Sequence, residues 1–417
     1  MANVTKIQWC DSTVNPIMGC GGCELFPKPA AILREIDTIL LSDGRLKWKR
    51  GEAQRMFADL LEIAWSRVEE WQGSEAELEL RQHKPTLGDG HVNKITTTNL
   101  YHLRKAAEQE IRSRVTRQLA SQHNEKAAAR IAKQISRSTE DIINRSVTCY
   151  AATQHMHKAF SVANPTKRAH PGYAPNFEQI TQYPGRLAKI AKLPDLIGTP
   201  RLEQLAGTGK EKKPGSPWLD NLPRLIFLSD MGDALTRKKD FPFLRREFAA
   251  VDSEAGRRHI WLWLTKRPDR MQEFAQTLGG LPENVCAMTT VTSTKQIGRV
   301  DQLRNVDASV RGLSLEPLWS SVAGGLDLTG IDWVIVGGES GTKHLVRPFE
   351  VEWAIELHEL CKERGVAFFC KQLGGHPTYK GRKLTLKNRH GGEWSEWPQR
   401  PSGLRTREFP SYFHKYR

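Results

Sequence analysis

The sequence predicts an α/β protein whose core is a partial or complete (βα) barrel, and two observations carry this prediction. Six short apolar runs alternate with helical or loop segments in the second half of the chain: 224–229, 259–265, 285–292, 312–316, 333–337 and 366–371. Near-continuous apolar runs are typical of parallel strands covered by helices. Polar residues gather where these runs end, which is the edge that carries the site in parallel barrels. Six units favour an open or closed barrel over a small doubly wound sheet.

The chain divides into three regions of different composition. Residues 1–23 are short and hold two clustered cysteines. Residues 24–148 are polar and charged with helical periodicity, and they are predicted to form a basic helical insertion. Residues 149–417 hold the apolar runs and are predicted to form the barrel core.

The charge balance favours a polyanionic partner, with nucleic acid first. The chain has a formal net charge of +15. Segment 101–147 contains ten Lys/Arg and five Asp/Glu residues, and its basic residues include Arg112, Arg117, Arg130, Lys133 and Arg137. These residues fit the solvated face of amphipathic helices, and they also fit a basic surface laid on a phosphate backbone. The sequence leaves both interpretations open.

The apolar patterning and the number of cysteines predict the cellular location of the protein and the role of its thiols. The 417 residues contain no apolar stretch of the length that a transmembrane helix needs, and the first residues lack the apolar core of a signal peptide. We therefore expect a cytoplasmic protein with no membrane partner. The seven cysteines are too few for a disulfide scaffold in a chain of this length, so clustered thiols are candidate metal ligands.

The cysteines near the N-terminus are the most informative motif. Cys20 and Cys23 lie in the run Gly-Cys-Gly-Gly-Cys, and glycines let the backbone curl so that both sulfurs can face one centre. Such a pair suits a zinc half-site, a redox dithiol or part of an iron–sulfur site. With Cys149 as a third ligand, a four-iron cluster keeps one iron open. With Cys10 as a fourth, closed structural zinc or a saturated cluster is favoured.

Several strand ends carry residues able to contact a polar ligand. Glycines at 337 and 338 let a ligand approach the backbone, and Glu339 follows them. Lys266 and Arg267 fit either a helix start or a clamp for phosphate or carboxylate. Glu316 is expected to accept from a ligand amine or to pair with one of those two cations.

The chain resembles a known family through blocks near both of its ends. The N-terminal block holds 7–11, 14–16 and 19–20, and it is completed by Cys149-Tyr150-Ala151. Five further blocks, 227–233, 264–271, 313–317, 331–341 and 368–374, follow in order. Together they are similar to phage Gp37/Gp68-like proteins, which look like divergent radical-SAM enzymes. Ser146 stands where that family has a middle cysteine, so Cys23 would replace it from the far side of a large insertion.

The resemblance implies a barrel of radical-SAM type with the helical insertion planted in the cluster loop. It implies a [4Fe–4S] cluster on Cys20, Cys23 and Cys149, with S-adenosylmethionine (SAM) on the open iron and cleaved to a 5′-deoxyadenosyl radical. By strand-end position, the candidate SAM contacts are Ser229, Asp233, Thr292, Glu316, Gly337, Gly338 and Glu339. Lys266 and Arg267 could reach the SAM carboxylate or a substrate phosphate.

Three hypotheses of function follow. The first is a radical-SAM enzyme acting on a nucleic acid or nucleotide, in phage-linked modification, repair or defence, with or without an accessory protein. The second is a metal-stabilised module, holding zinc or iron–sulfur, that binds nucleic acid or recruits a partner without radical chemistry. The third is a hydrolase that uses Asp230, Asp233 and Glu316 with a divalent metal, although their spacing fits no familiar carboxylate motif.

Overall fold

A computed structural model describes residues 3–4, 7–27, 29–60, 97–146, 149–158, 177–201, 216–341, 346–388, 390–399 and 402–416. The chain forms two compact units. The helical unit is Met18–Thr181, and the sheet unit combines Met1–Ile17 with Gln182–Arg417. The predicted insertion at 24–148 falls within the helical unit, and its residues 61–96 lie outside the described residues.

The helical unit is built from labelled helices and one further helical segment. The helices are α1 (Pro29–Ser42), α2 (Thr97–Ala120), α3 (Glu125–Ser146) and α4 (Tyr150–Lys158), and residues 52–60 are also helical. Helices α2 and α3 pack on each other across a short turn. Asn124 begins α3, because its Oδ1 accepts a hydrogen bond from the backbone N–H of Ala127 at 2.9 Å. This contact satisfies one of the helix's unpaired amide groups.

One apolar core holds the helices of this unit together. Its residues from α2 and α3 are buried at helical spacing, as the periodicity predicts: Ala107, Ile111, Val115, Leu119, Ala128, Ala132, Ile135 and Ile142. Helix α1 joins them through Ile32, Leu33, Ile36 and Leu40. The buried Asp37 of α1 fixes the following loop, since its carboxylate accepts from Trp48 Nε1 at 3.0 Å and from the Gly51 amide at 2.7 Å.

The sheet unit contains one eight-stranded sheet whose strands occur in the order of the chain. The strands are β1 (Asn3–Val4), β2 (Ser12–Val14), β3 (Arg224–Leu228), β4 (His259–Thr265), β5 (Val285–Thr290), β6 (Val310–Leu315), β7 (Trp333–Gly337) and β8 (Ala367–Gln372). Strand β1 is antiparallel to β2, and the other seven run parallel and curl into a half-barrel. The six predicted runs are confirmed as strands, and the parallel sheet is confirmed as a partial barrel.

Helices cover one face of the half-barrel. They are α5 (Arg186–Ala191), α6 (Phe241–Val251), α7 (Pro268–Leu278), α8 (Gly298–Arg304) and α9 (Val351–Arg364). Helix α10 (Ser411–Lys415) instead contributes Phe413 to the core inside the curl. Trp263 of β4 packs on Phe248 of α6 and Phe274 of α7, with ring centroids 4.7 and 5.4 Å away. Residues of the opposite parity on β4, such as Ile260 and Leu262, therefore face the inside of the curl.

The inside of the half-barrel is filled by aromatic residues from both ends of the chain. Trp9 lies 4.6 Å from Phe227, between ring centroids. Phe409 and Phe413 pack on Trp333 of β7 at 5.2 and 5.7 Å. These residues belong to one buried cluster with the inward side chains of β3–β8. The segment before β2 and the segment after β8 thus complete the core of the sheet unit.

Several short strands lie outside the eight-stranded sheet. Phe349–Glu350, Pro377–Tyr379 and Arg382–Lys383 form a separate three-stranded sheet, and two-residue strands occur at Ile17–Met18 and Thr181–Gln182. None of the described helices is both long and apolar enough to cross a membrane.

Candidate cofactor and metal site

A polar layer follows the apolar filling at the carboxyl ends of the strands. Alternate side chains of a strand share a face, so the inward positions continue from Phe227 to Ser229 and from Ile335 to Gly337. On β6 the same parity leads to Glu316, whose Oε2 accepts from Nε1 of the inward Trp9 at 3.3 Å. Three of the sequence-predicted residues thus belong to one face and one edge of the half-barrel.

Glu316 is the charged centre of this layer. Lys371 Nζ lies 3.0 Å from Glu316 Oε1, with side-chain exposures of 20% and 11%. Among the described residues, Oε1 has no hydrogen-bond donor, so Lys371 acts on it as a neighbouring positive charge. The cation partner is therefore Lys371 rather than the predicted Lys266 or Arg267. The ion pair leaves Oε1 able to accept a hydrogen bond from a ligand.

The glycines of the 337–341 segment serve chain packing. A Cβ on Gly337 would lie 2.6 Å from Glu316 Oε1, and one on Gly338 would lie 2.4 Å from the carbonyl oxygen of Leu373. The amide of Gly338 donates to the carbonyl of Gln372 at 3.0 Å. Both positions need glycine because protein atoms already occupy the space that a side chain would fill. Chain packing therefore explains these glycines, whereas the sequence suggested that they let a ligand approach the backbone.

Ser229 is the residue of the layer most suited to bind a ligand. Its φ is +69°, a left-handed conformation that costs about 1–2 kcal/mol outside glycine. The side chain is buried, and its Oγ lacks a hydrogen-bond partner within the described part of the chain. A strained residue with an unsatisfied buried hydroxyl is characteristic of functional sites.

Asp233 is fully engaged by neighbouring protein groups. Its Oδ2 lies 2.6 Å from Arg267 NH1, and its Oδ1 accepts from Thr265 Oγ1 at 2.9 Å. The amides of Leu235 and Lys266 also donate to the carboxylate. Asp233 and Arg267 therefore fix the β3 and β4 ends to each other, and the structure gives them an anchoring role beside the site.

Thr292 and Glu339 also have protein partners. Thr292 Oγ1 donates to Gln296 Oε1 at 3.1 Å. Glu339 Oε2 accepts from Trp319 Nε1 at 3.2 Å and from Arg347 NH1 at 3.2 Å. Burial raises the pKa of the Glu339 carboxyl, while Arg347 acts to lower it. The three donors from Trp319 and Arg347 all reach Oε2.

The predicted cysteine trio lies in the helical unit, in one stretch of local structure. The amide and carbonyl of Cys23 exchange hydrogen bonds with those of Phe26 at 3.1 and 3.0 Å, which closes a tight turn. The amide of Cys149 donates to the carbonyl of Leu25, inside that turn, at 3.0 Å. The amide of Cys20 donates to the carbonyl of Phe177 at 3.1 Å.

Aromatic packing joins these backbone contacts into one neighbourhood. Phe26 and Phe177 meet edge to face at 5.0 Å, and the buried His155 of α4 packs on Phe177 at 5.5 Å. Gly19 has a φ of +94°, and a Cβ there would lie 2.7 Å from the Phe177 carbonyl oxygen. Gly19 is therefore required for Cys20 to reach its position.

Cys23 and Cys149 are partly exposed, Cys20 is buried, and all three are free thiols. Among the described residues, no three His, Cys, Asp or Glu side chains are grouped to hold a single metal ion. The thiolates of a four-iron cluster bind separate irons, so they lie farther apart than the ligands of one ion. Among the described residues, Cys20, Cys23 and Cys149 thus share a backbone neighbourhood but form no single-ion site.

The other cysteines are core residues. Cys10 and Cys286 belong to the buried cluster inside the half-barrel, and burial raises the pKa of both thiols. Burial also raises the pKa of Cys361 to about 12, and that of Cys370 well above its usual value. Thiols of this kind stay protonated at neutral pH, which makes Cys10 a poor fourth ligand.

The sequence did not predict that Lys371 pairs with Glu316 or that Asn15 binds Asp230. Lys371 lies at the end of the last apolar run, and this position is the sequence signal that could have marked it as a site residue. Asn15 follows β2, donates to Asp230 Oδ1 at 2.6 Å and accepts from the amide of Met231 at 2.8 Å. With Asp230 and Asp233 engaged in this way, the acid cluster of the hydrolase hypothesis does not form within the described residues.

Comparison with known proteins gives one match. A family model described as "Protein of unknown function (DUF5131)" matches residues 139–398, more than half of the chain. No curated protein and no solved structure matches. The matched range contains Cys149 and strands β3–β8.

Proposed function

Because the chain belongs to the DUF5131 family, whose function is unknown, we propose from its own geometry that it is a radical-SAM-type enzyme. One observation carries the proposal: although 125 residues separate Cys23 from Cys149, the Cys149 amide binds the carbonyl of Leu25. The backbone of the distant Cys149 thus lies against the turn that holds Cys23.

Cys20, Cys23 and Cys149 would hold a [4Fe–4S] cluster, which supplies the electron for reductive cleavage of SAM. The glycine turn supports this assignment, since it needs positive φ at Gly19 and Gly22. Partial exposure of Cys23 and Cys149 supports it as well, since metal-binding thiols must be able to lose their protons.

The strand ends of the sheet unit would bind the polar groups of SAM. Ser229 Oγ can donate one hydrogen bond, and Glu316 Oε1 can accept one from an ammonium group. Lys371 offers a positive charge beside Glu316. Asp233 and Arg267 keep two strand ends in register, which preorganises the binding groups.

Nucleic acid or a nucleotide is the proposed substrate, and the net charge of +15 is its support. The competing proposal, a metal-stabilised binding module, keeps the cysteine turn but needs a closed site. The buried Cys10 in the core of the sheet unit favours the open three-cysteine arrangement.

Anaerobic reconstitution with iron and sulfide tests the metal assignment. We expect a broad absorbance band near about 400 nm that each of Cys20→Ala, Cys23→Ala and Cys149→Ala weakens or abolishes. Cys10→Ala is the matched control and should retain the band. With dithionite as reductant, the reconstituted protein should convert SAM to 5′-deoxyadenosine.

Two outcomes would contradict the proposal. A triple cysteine variant that still binds iron and sulfide would show that the trio is not the ligand set. Tightly bound zinc that is lost in Cys10→Ala would favour the binding module instead.

A further inference from the structure

Helix α3 carries a basic stripe on its solvent side, and its geometry is regular. The stripe consists of Lys126, Arg130, Lys133 and Arg137, all four of them exposed. Their spacings of four, three and four residues place them on one face of an α-helix. At about 1.5 Å per residue, the stripe is about 16 Å long.

The opposite face of α3 fixes the stripe in place. Ala128, Ala132 and Ile135 are buried in the core of the helical unit. The helix therefore cannot rotate to hide its cations, and the stripe is a rigid feature of the surface.

The cations of α3 also differ from those of the neighbouring helix. On α2, Arg114 is paired with Glu110 at 2.9 Å, and Arg117 lies 3.5 Å from the same carboxylate. Within the described residues, none of the four stripe cations lies in an ion pair. In the sequence the stripe ends at Arg137, before Glu140 and Asp141.

We propose that this stripe docks the phosphate backbone of a nucleic-acid duplex. The inference deepens the proposed function, since it rests on action upon nucleic acid and assigns the contact to a surface. Cations about 4.5–6 Å apart along a rigid rod can contact several phosphates of one backbone strand.

The composition of the stripe favours a duplex over a single strand. Proteins that hold unpaired strands usually add aromatic side chains on which bases stack. Residues 126–137 contain no aromatic residue. The stripe offers charge alone, which positions a backbone without reading its bases.

Binding of fluorescein-labelled DNA and RNA duplexes, followed by anisotropy over a salt series, tests the inference on the full chain. The test variant changes all four stripe residues to Gln, a good helix former. We expect its affinity to fall at least about tenfold, and the slope of log K against log salt to fall by about 3–4, because each lost DNA phosphate contact removes about 0.9.

The matched control removes the same charge from the sheet unit. It changes Lys239, Arg245, Arg246 and Lys362, which are exposed, to Gln. Equal losses in the two variants would overturn the proposal, since they would show a diffuse charge effect. Binding to single strands alone, or binding to phosphatidylserine vesicles with none to duplexes, would overturn it as well.

Two further measurements keep the test decisive. Circular dichroism checks that the stripe variant folds, and the Lys126/Arg130 and Lys133/Arg137 double variants replace it if it does not. The reconstitution band is recorded on the same samples. A stripe variant that keeps the band but loses duplex affinity supports the stripe, whereas duplex binding by a protein without a band leaves the stripe standing and removes the radical chemistry.

Discussion

Glu316 and Lys371 meet across the strand that lies between them in the sheet. Glu316 follows β6 and Lys371 belongs to β8, yet Lys371 Nζ is 3.0 Å from Glu316 Oε1. The intervening strand β7 ends in Gly337, and a side chain there would reach to 2.6 Å from the same oxygen. The missing side chain of Gly337 is what allows two charged groups of the candidate site to pair.

Three glycine-to-alanine variants test this relationship through the order of their free energies of unfolding. Gly298→Ala should be neutral or stabilising by up to about 1 kcal/mol, since nothing lies within 4 Å of its Cβ at the start of α8. Gly337→Ala should cost about 1–3 kcal/mol, because the Glu316 side chain must move away from Lys371. Gly338→Ala should cost most, because its Cβ meets the backbone oxygen of Leu373 at 2.4 Å.

Urea unfolding of the three glycine variants gives the rank directly. If Gly337→Ala proved as stable as Gly298→Ala, the close contact at Glu316 would not be a constraint on the fold.

The buried pair Asp233–Arg267 should contribute far more to stability than an exposed pair. Asp233→Asn leaves Arg267 without its partner in a site where the two side chains are 9% and 16% exposed, and we expect a loss of about 3–5 kcal/mol. Asp252→Asn breaks a pair with Arg257 whose side chains are 51% and 63% exposed, and it should cost far less because solvent screens the pair. Chemical denaturation of both variants compares them, and equal losses would argue against an anchoring role for Asp233.

The fold was more predictable from sequence than the partners within the site. The apolar runs specify strands because each is buried on both faces, as all five residues of Arg224–Leu228 show. Strand β2 escaped prediction because Ser12–Val14 is too short and too polar to give that signal. The pairing of Glu316 with Lys371 escaped as well, since it depends on which strands are neighbours and on a glycine between them.

The arrangement of Cys20, Cys23 and Cys149 was likewise only partly predictable from the sequence. The run at 19–23 marks a tight turn in the sequence, but the return of Cys149 depends on a hydrogen bond to Leu25 and on Phe177 beside Cys20. Neither contact can be predicted from a local sequence pattern, because the contacting groups are backbone atoms of residues far apart in the chain.

Alkylation of the native protein should divide its cysteines into two classes. Without bound metal, Cys23 and Cys149 should react with iodoacetamide at mildly alkaline pH, because they are partly exposed. Cys10, Cys286 and Cys361 should be protected, because burial hides them and raises the pKa of each thiol. Mass spectrometry of tryptic peptides counts the labels.

Protection of the thiols from alkylation should depend on the folded structure. At Cys23 and Cys149 it should also depend on the bound cluster. Unfolding in urea should expose all seven thiols. Reconstitution with iron and sulfide should slow the labelling of Cys23 and Cys149 alone, and labelling at an unchanged rate would contradict their role as ligands.

Stability should fall in mild acid because of His259, at the start of β4. Burial lowers the pKa of this imidazole, whose Nε2 lies 3.1 Å from the carbonyl oxygen of Ala191. The unfolded chain then binds a proton more readily than the folded one, so the folded state loses stability as pH falls below about 6.5 and on through the lower folded pKa. The slope from this one group can reach about 1.4 kcal/mol per pH unit. Urea unfolding between neutral pH and about pH 5 should show a shallower slope of stability against pH for His259→Gln than for the wild-type protein. Equal slopes for wild type and His259→Gln would place the acid sensitivity elsewhere.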